Sequence, residues 1–417
     1  MTDTGGTSGA GTLGAGTLEG LRVLDFTQAL AGPFCTQVLA DHGAEVVKIE
    51  APGGGDFTRE SGPFHAADTN HTQSGYFHSI NRNKKSISVD LKKPAGRDLV
   101  LKLVPGFDVV VENFRAGVMD RLGLSWETLR EHNPRLVYAT VRGFGDPRSG
   151  ASPYCDWPSF DVVSQAMGGM MGITGMDAAH PVKTGPGVGD TVPALYLAFG
   201  ILAAVLRAKT TGRGQFVDVA MTDAVLAVSE RIVHQRSFGK ITPGPEGNHH
   251  PFLVPFGVFP AADGHVAIAC PNDAFFRDLC TAIDLPEFRE DPSVASTADR
   301  RARRDFVNET VSARTAQLTK AELLQRLGGK VPFGPVYDVD EIFADPHFAV
   351  RGMLAEIACP GIPETMRIAG VPLKFSETPG GVRHRAPDHG EHTDAVLAAA
   401  GFSADEIARW RRDGVVH

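Results

Sequence analysis

The 417-residue sequence predicts an α/β fold: a large domain on an open, largely parallel sheet, followed by a smaller α+β lobe. Residues 21–50 carry the first observation. LRVLDF is a short apolar run, TQALAGPFCTQVLADHGA spaces its apolar residues at helical intervals and closes on Gly43, and AEVVKIE is a second apolar run ending in an acid. That is a β-α-β unit. The same alternation continues to about residue 221, as crossover helices between parallel strands require. Composition agrees, with 42% hydrophobic and 22% charged residues, the balance of an ordinary globular chain.

Taken in order, residues 1–17 are rich in Gly, Thr and Ser and lack the charged start and apolar core of a targeting signal, so a flexible tail is expected there. The large domain is expected over 18–225. Within it KSISVDL (85–91), FDVVVENF (107–114), RLVYATVRGF (135–144) and GQFVDVAM (214–221) read as further strands. GRDLVLKLV, 159–171 and 191–209 read as helices. No apolar stretch reaches membrane-spanning length without a polar interruption. A linker is expected over 226–244, leading into SFGKITPGPEGNHH (237–250). The small domain is expected over 245–335, opening with two strands of VFPAADGHVAIAC about the turn Ala262-Asp263-Gly264 and continuing with helices at 273–283, 299–317 and 319–328. Residues 336–417 form a proline-punctuated return segment and then amphipathic helices with capping boxes, which need the large domain as a docking surface.

Several functions are excluded or weakened at once. A net charge of −8 and the lack of a Lys/Arg run oppose nucleic-acid binding. The five cysteines are scattered and without metal spacing, the pattern of free thiols in a reducing cytoplasm. His249-His250 and the group His384, His389, His392 likewise lack ligand spacing, and no metal is expected. The turn after the first strand reads TQALAGP rather than G-x-G-x-x-G, which removes the glycines a dinucleotide pyrophosphate needs. There is no G-x-S-x-G elbow and no Walker sequence.

In open α/β sheets ligands bind at the carboxyl ends of strands. There the chain offers Gln28, Ala29 and Leu30 with Ala31-Gly32, then Lys92, Asn113-Phe114-Arg115 and Arg121. Cations, an amide and backbone N–H groups suit a phosphorylated, adenine-bearing ligand, though each cation also reads as an ordinary solvated side chain. Asp56, Asp146, Asp161 and Asp218 sit near turns or strand ends and read as cap or turn acids. The stretch GPGVGDTVPALY (185–196) sets Asp190 at the mouth of an apolar helix. Taken alone, Asp190 reads as the N-cap, with Pro193 in the first turn.

The blocks LEGLRVLDFTQALAGPFCTQVLADHGAEVVKIEAPGGGDFTR, NRNKKSISVDLK, DVVVENFRAGVMDRLGL, FDVVSQAMGGMMGITG, GDTVPALYLAFGILAAVLRAKTTGRGQFVDVAMTDAVL and GEHTDAVL resemble the class III CoA-transferases, in this order and over nearly all of the chain from residue 18. That family includes formyl-CoA and carnitine CoA-transferases. The resemblance implies a Rossmann-like large domain, an interlocked ring-shaped homodimer, and CoA thioesters as substrates without a prosthetic group. It makes Asp190 the nucleophile, forming an acyl–aspartyl anhydride and then an aspartyl–CoA thioester. The glycines around it would let backbone approach the thioester and aim N–H groups at the oxyanion, while the helix N-terminus would keep Asp190 ionised. The same resemblance puts Gln28, Ala29, Leu30, Lys92, Asn113, Phe114, Arg121, Phe160 and Met221 along the CoA. Two positions depart from formyl-CoA transferase: Ala51 stands where that enzyme has a nucleotide-binding Arg, with Arg59 as the candidate replacement, and Ser61 stands for its active-site Trp. The glycine lid is also missing, the region reading GNHHPFLVPFGVF, which resembles members that use dicarboxylates; His249 and His250 are then expected to face a distal carboxylate, or else to be a polar linker turn. The α-methylacyl-CoA racemase branch is the alternative, but its proton-carrying His is replaced by Phe160 in Ser159-Phe160-Asp161. A carrier that binds acyl-CoA without turnover is the alternative of another class.

Overall fold

Residues 16–417 are described by the structure, a computed structural model. The expected tail therefore lies outside the described residues except for Gly16 and Thr17. Those two are packed rather than loose: a Cβ on Gly16 would meet the His42 carbonyl at 2.3 Å, and the Thr17 hydroxyl lies 2.5 Å from that of Thr378.

The chain runs β1 (Arg22–Asp25), α1 (Ala31–Asp41), β2 (Glu45–Glu50), α2 (Gly75–Asn81), β3 (Lys85–Ser88), α3 (Pro94–Leu103), β4 (Val109–Glu112), α4 (Val118–Arg121), α5 (Trp126–His132), β5 (Val137–Arg142), α6 (Asp161–Met167), α7 (Val188–Thr211), β6 (Phe216–Ala220) and α8 (Met221–Val228). The six strands form one sheet in the order β3-β2-β1-β4-β5-β6, every pair parallel. This is the doubly wound arrangement, whose strand order reverses between β1 and β4 and opens a crevice there. Alternate side chains explain the apolar runs. Leu24, Val47, Ile87 and Val110 face one core with α3 and Trp410, while Val23, Val46, Val109 and Val137 face the other with α1 and α7.

Two compact units divide the chain. The first comprises the described chain up to Gly169, Gly185–Glu230 and Pro346–His417. The second comprises Met170–Thr184 and Arg231–Asp345. Its sheet is antiparallel, β7 (Phe256–Ala261) pairing with β8 (Gly264–Ala269) and β8 with β9 (Phe333–Pro335). Residues 170–184, expected within the large domain, belong instead with the second unit. The Gly247 N–H donates to the Gly175 carbonyl at 2.9 Å, and Arg231 donates to that of Ile173 at 3.1 Å. The helix expected over 299–317 is broken at Arg303 into Thr297–Ala302 and Arg304–Thr315, each with its own start.

Helix α7 corrects the reading of the apolar stretches. It is 24 residues long with a mean hydropathy of 1.7 over its most apolar stretch, enough by length and composition to cross a bilayer. Its Ala194, Leu197, Ala198, Ile201 and Ala204 nevertheless pack in the core with the valines of β1, β2, β4 and β5. Its opposite face exposes Leu195, Tyr196, Phe199 and Leu206.

Candidate active site

The crevice between the ends of β1 and β4 is lined by Gln28, Ala29, Ala31, Phe57, Asn113, Phe114, Arg142, Trp157, Phe160, Asp190 and Met221, around a cavity of about 210 Å³. Of the residues singled out in the sequence, this brings together Gln28, Ala29, Asn113, Phe114, Phe160, Asp190 and Met221. Leu30 stands just behind, where a Cβ on Gly187 would meet its side chain at 3.1 Å. Lys92 and Arg121 are exposed and do not line the cavity. Arg59 is committed elsewhere. Its guanidinium pairs with both oxygens of Glu50 at 2.8 and 2.7 Å, donates to the Pro387 carbonyl and lies over the Phe77 ring.

The loop from β1 to α1 is held by side chains distant in sequence. Asn113 brackets Gln28, its Oδ1 accepting the Gln28 N–H at 2.8 Å and its Nδ2 donating to the Gln28 carbonyl at 2.7 Å. The Ala29 N–H points to Asp56 Oδ1 at 3.4 Å. These two amides are therefore taken, contrary to the expectation of an open backbone. Among the described residues the N–H groups of Leu30, Ala31 and Gly32, the start of α1, have no acceptor. A helix start with free amides at the crevice is a ready seat for an oxyanion or phosphate. Ala29 takes φ +65°, a left-handed backbone that costs a residue with a Cβ about 1–2 kcal/mol.

Asp190 is not the N-cap. Gly187 holds that place, and Asp190 is the third residue of α7, in its first turn. The half-buried carboxyl accepts no hydrogen bond from any donor among the described residues. Burial first, and the neighbouring charge of Asp161 second, push it up to about 7. Burial and the like charge of Asp161 both oppose the ionisation that the helix end was expected to favour.

Asp161, the first residue of α6, was expected to be a mere turn acid. Its Oδ1 accepts the Gly189 N–H at 2.8 Å, and Gln165 donates to both its oxygens. The amide of Gly189 is thus consumed by Asp161 and not offered to an oxyanion. The glycine itself is needed for contact, since a Cβ there would stand 2.5 Å from the Asp161 carbonyl oxygen. Gly189→Ala is accordingly expected to displace the start of α7 and lower kcat by roughly 100-fold while the protein stays folded, checked by steady-state rates beside a circular dichroism melt. Tyr76 is a second residue that sequence reasoning missed. Burial raises its phenol, and the charges of Asp190, Asp56 and Asp161 raise it further, which puts Tyr76 within the field of the site.

His249 and His250 serve their own turn. His249 packs edge-on against Phe259, and His250 Nδ1 accepts the N–H groups of Phe252 and Leu253 at 3.1 and 3.0 Å. These contacts are those of the expected polar turn.

Residues 18–393 match the model of CoA-transferase family III. A succinyl-CoA:mesaconate CoA-transferase of Haloarcula hispanica is 46% identical over 387 residues, covering 92% of this chain and 96% of that protein. A succinate–glutarate CoA-transferase of Agrobacterium fabrum is 37% identical over 389 residues, covering 91% and 95%. The crystal structure of a CAIB/BAIF family protein from Brucella suis superposes with a TM-score of 0.82 at 35% identity, covering 93% of this chain and 100% of that one.

Proposed function

Since the chain belongs to CoA-transferase family III, we propose that it transfers CoA from succinyl-CoA, or a similar dicarboxylyl-CoA, to a carboxylic acid through covalent intermediates on Asp190. The observation that carries this reading is the Asp190 carboxyl, at the cavity wall, without a hydrogen-bond partner among the described residues and pushed up to about 7. A carboxylate of raised basicity is a stronger nucleophile than an ordinary one, and covalent catalysis divides one difficult exchange into easier steps.

In the first step a carboxylate oxygen of Asp190 attacks the thioester carbon, and CoA leaves as its thiolate, giving the mixed anhydride. The thiolate then attacks the aspartyl carbonyl carbon and expels the donor acid as its carboxylate. An acceptor carboxylate reverses both steps and leaves as its own CoA thioester. Each oxyanion needs donors, and the free amides of Leu30, Ala31 and Gly32 are the candidates. Phe114, Asn113 and Gln28 would lie along the pantetheine arm, and Phe160 and Met221 on the opposite wall. Lys92 and Arg121 would reach phosphates only outside the cavity. Arg59 would have to release Glu50 to do so.

The donor preference rests on the names of the relatives, which use succinyl-CoA or succinate with mesaconate, glutarate, D-citramalate or L-malate. The test is intact mass spectrometry after mixing the protein with a panel of acyl-CoAs and no acceptor. A CoA adduct less one water, mapped to Asp190 and formed fastest from succinyl-CoA, is expected. CoA binding without any adduct overturns the covalent route, and α-proton exchange in deuterated water would then favour racemisation.

The proposal includes a homodimer, interlocked as the resemblance implies, in a reducing cytoplasm where the five unbridged cysteines stay reduced. Support for self-association comes from the outer face of α7, where Phe199 is 74% and Leu206 68% exposed. An interlocked wild type is expected to sediment as a dimer even on strong dilution, and Phe199→Glu combined with Leu206→Glu is expected to lower the yield of folded dimer. A monomeric wild type would remove this part of the reading.

A further inference from the structure

Beneath the cavity lies a set of charges that the transfer chemistry does not use. Lys48, Asp56, Asp25 and Lys84 have side chains of 0% exposure. Lys48 Nζ lies 3.0 Å from Asp56 Oδ2 and donates to the Thr27 carbonyl at 2.5 Å. Asp56 Oδ1 in turn accepts the Thr58 N–H and hydroxyl at 3.0 and 2.8 Å and, at 3.4 Å, the Ala29 N–H. On the other side, Lys84 Nζ lies 3.1 Å from Asp25 Oδ2 and donates to the Pro33 carbonyl at 3.0 Å. Asp25 Oδ1 accepts the Thr27 N–H at 2.8 Å. Both pairs thus reach residues 25–33, the turn from β1 into α1.

Stability does not explain four buried charges. A buried ion pair rarely outperforms well-packed apolar residues of the same volume, because desolvation offsets its attraction. What the charges do secure is a particular backbone: Ala29 left-handed, and α1 begun with three amides unspent. The two lysines differ in a telling way. Burial pulls the Lys84 ammonium down to about 8 despite Asp25. Burial opposes the Lys48 charge as well, yet Asp56, Asp25 and Glu50 more than offset it and hold that ammonium above the usual lysine range. Lys48 is the fixed charge of the group.

We propose that Lys48 and Asp56 are positioning residues for CoA transfer, Lys48 gripping the Thr27 carbonyl and Asp56 the Ala29 amide so that the turn presents the free start of α1 at the cavity. The inference rests on the transfer reading for its catalytic consequence, but its structural half stands alone. A purely structural role makes a different prediction: removing both charges together would then leave no buried charge unpaired and should restore a working protein.

The experiment compares the full-length wild type, Lys48→Met and the double variant Lys48→Met/Asp56→Asn. Three readouts apply: the rate of CoA-adduct formation on Asp190 from succinyl-CoA, hydrogen exchange of the bonded amides of residues 27–29 against those of β1 and β2, and CoA affinity by calorimetry. Lys48→Met alone strands the Asp56 carboxylate and is expected to melt earlier; if it does not fold, the double variant carries the test. The double variant is expected to melt near wild type, bind CoA within a few-fold, form adduct roughly 10–100-fold more slowly, and exchange the hydrogen-bonded amides 27–29 at least about tenfold faster. A double variant with the wild-type adduct rate, or with wild-type protection of those amides, overturns the proposal. If the wild type itself forms no adduct, the transfer reading fails instead, and the exchange comparison alone decides whether these charges hold the turn.

Discussion

The Asp190→Asn variant is expected to lose CoA transfer by roughly 1,000-fold or more and yet to be more stable than the wild type at pH 8. Both outcomes come from one fact. The Asp190 carboxyl stands at about 7 in the folded protein against an ordinary 3.8, with burial the larger cause and Asp161 the smaller. The folded state therefore holds this proton more tightly than the unfolded chain does. Below about pH 4 both states are protonated and the group costs nothing. As pH rises from about 4 to 7 the unfolded chain ionises while the folded carboxyl, poorly solvated and beside another charge, keeps its proton, so stability is lost across that window and the loss levels off above 7. The full difference is on the order of 2–4 kcal/mol, discounted for the part of the side chain that water reaches. An Asn keeps the shape and never ionises. The melting point of Asp190→Asn should thus exceed that of wild type at pH 8.5, and the gap should shrink towards zero at pH 4.5. Native mass spectra should still show bound CoA, because the cavity walls are unchanged. A variant less stable than wild type at pH 8.5 would mean that the carboxylate is well solvated or partnered, and the account of its raised basicity would fall with it.

Such a trade of stability for reactivity was legible in the sequence only in outline. The strands were readable because β1, β2 and β4 are buried on both faces and so appear as unbroken apolar runs. Asp190 was readable as a singular acid, but the helix begins three residues earlier, on Gly187, because Asp is the stronger local cap signal and Gly187 carries none of its own. The partner relationships were not legible at all. Asp161 lies 28 positions before Gly189, and Asn113 lies 85 after Gln28, so each looks like a routine turn residue until the sheet brings the segments together. Arg59 shows the converse. Its charge invited a ligand role, while Glu50, nine residues earlier, had already claimed it through strand β2. Helix α2 and the hairpin of Leu354–Ile357 with Met366–Ala369 went unforeseen because both are short and carry mixed polarity.

The second large effect is expected in the pH–rate profile. If the ionised Asp190 is the nucleophile, kcat/KM should rise with pH along a single acid limb whose midpoint lies near 7, then level off. Asp161→Asn removes the neighbouring charge while its Oδ1 can still accept the Gly189 N–H. The midpoint should then move down by roughly one unit, raising the rate at pH 5.5 by nearly tenfold, with little gain at pH 8 where wild type is already ionised. The midpoint should not fall to 3.8, because burial, the larger cause, remains. Asp161→Ala separates the two duties of this residue. It removes the charge and also the acceptor that fixes the start of α7, so the limb should shift in the same direction while the plateau drops by roughly 100-fold. Equal plateaus in the two variants would show that Asp161 acts on Asp190 through charge alone. An acid limb that stays near 7 in both would assign it to a group other than Asp190, and the nucleophile would have to be sought again among the residues that line the cavity.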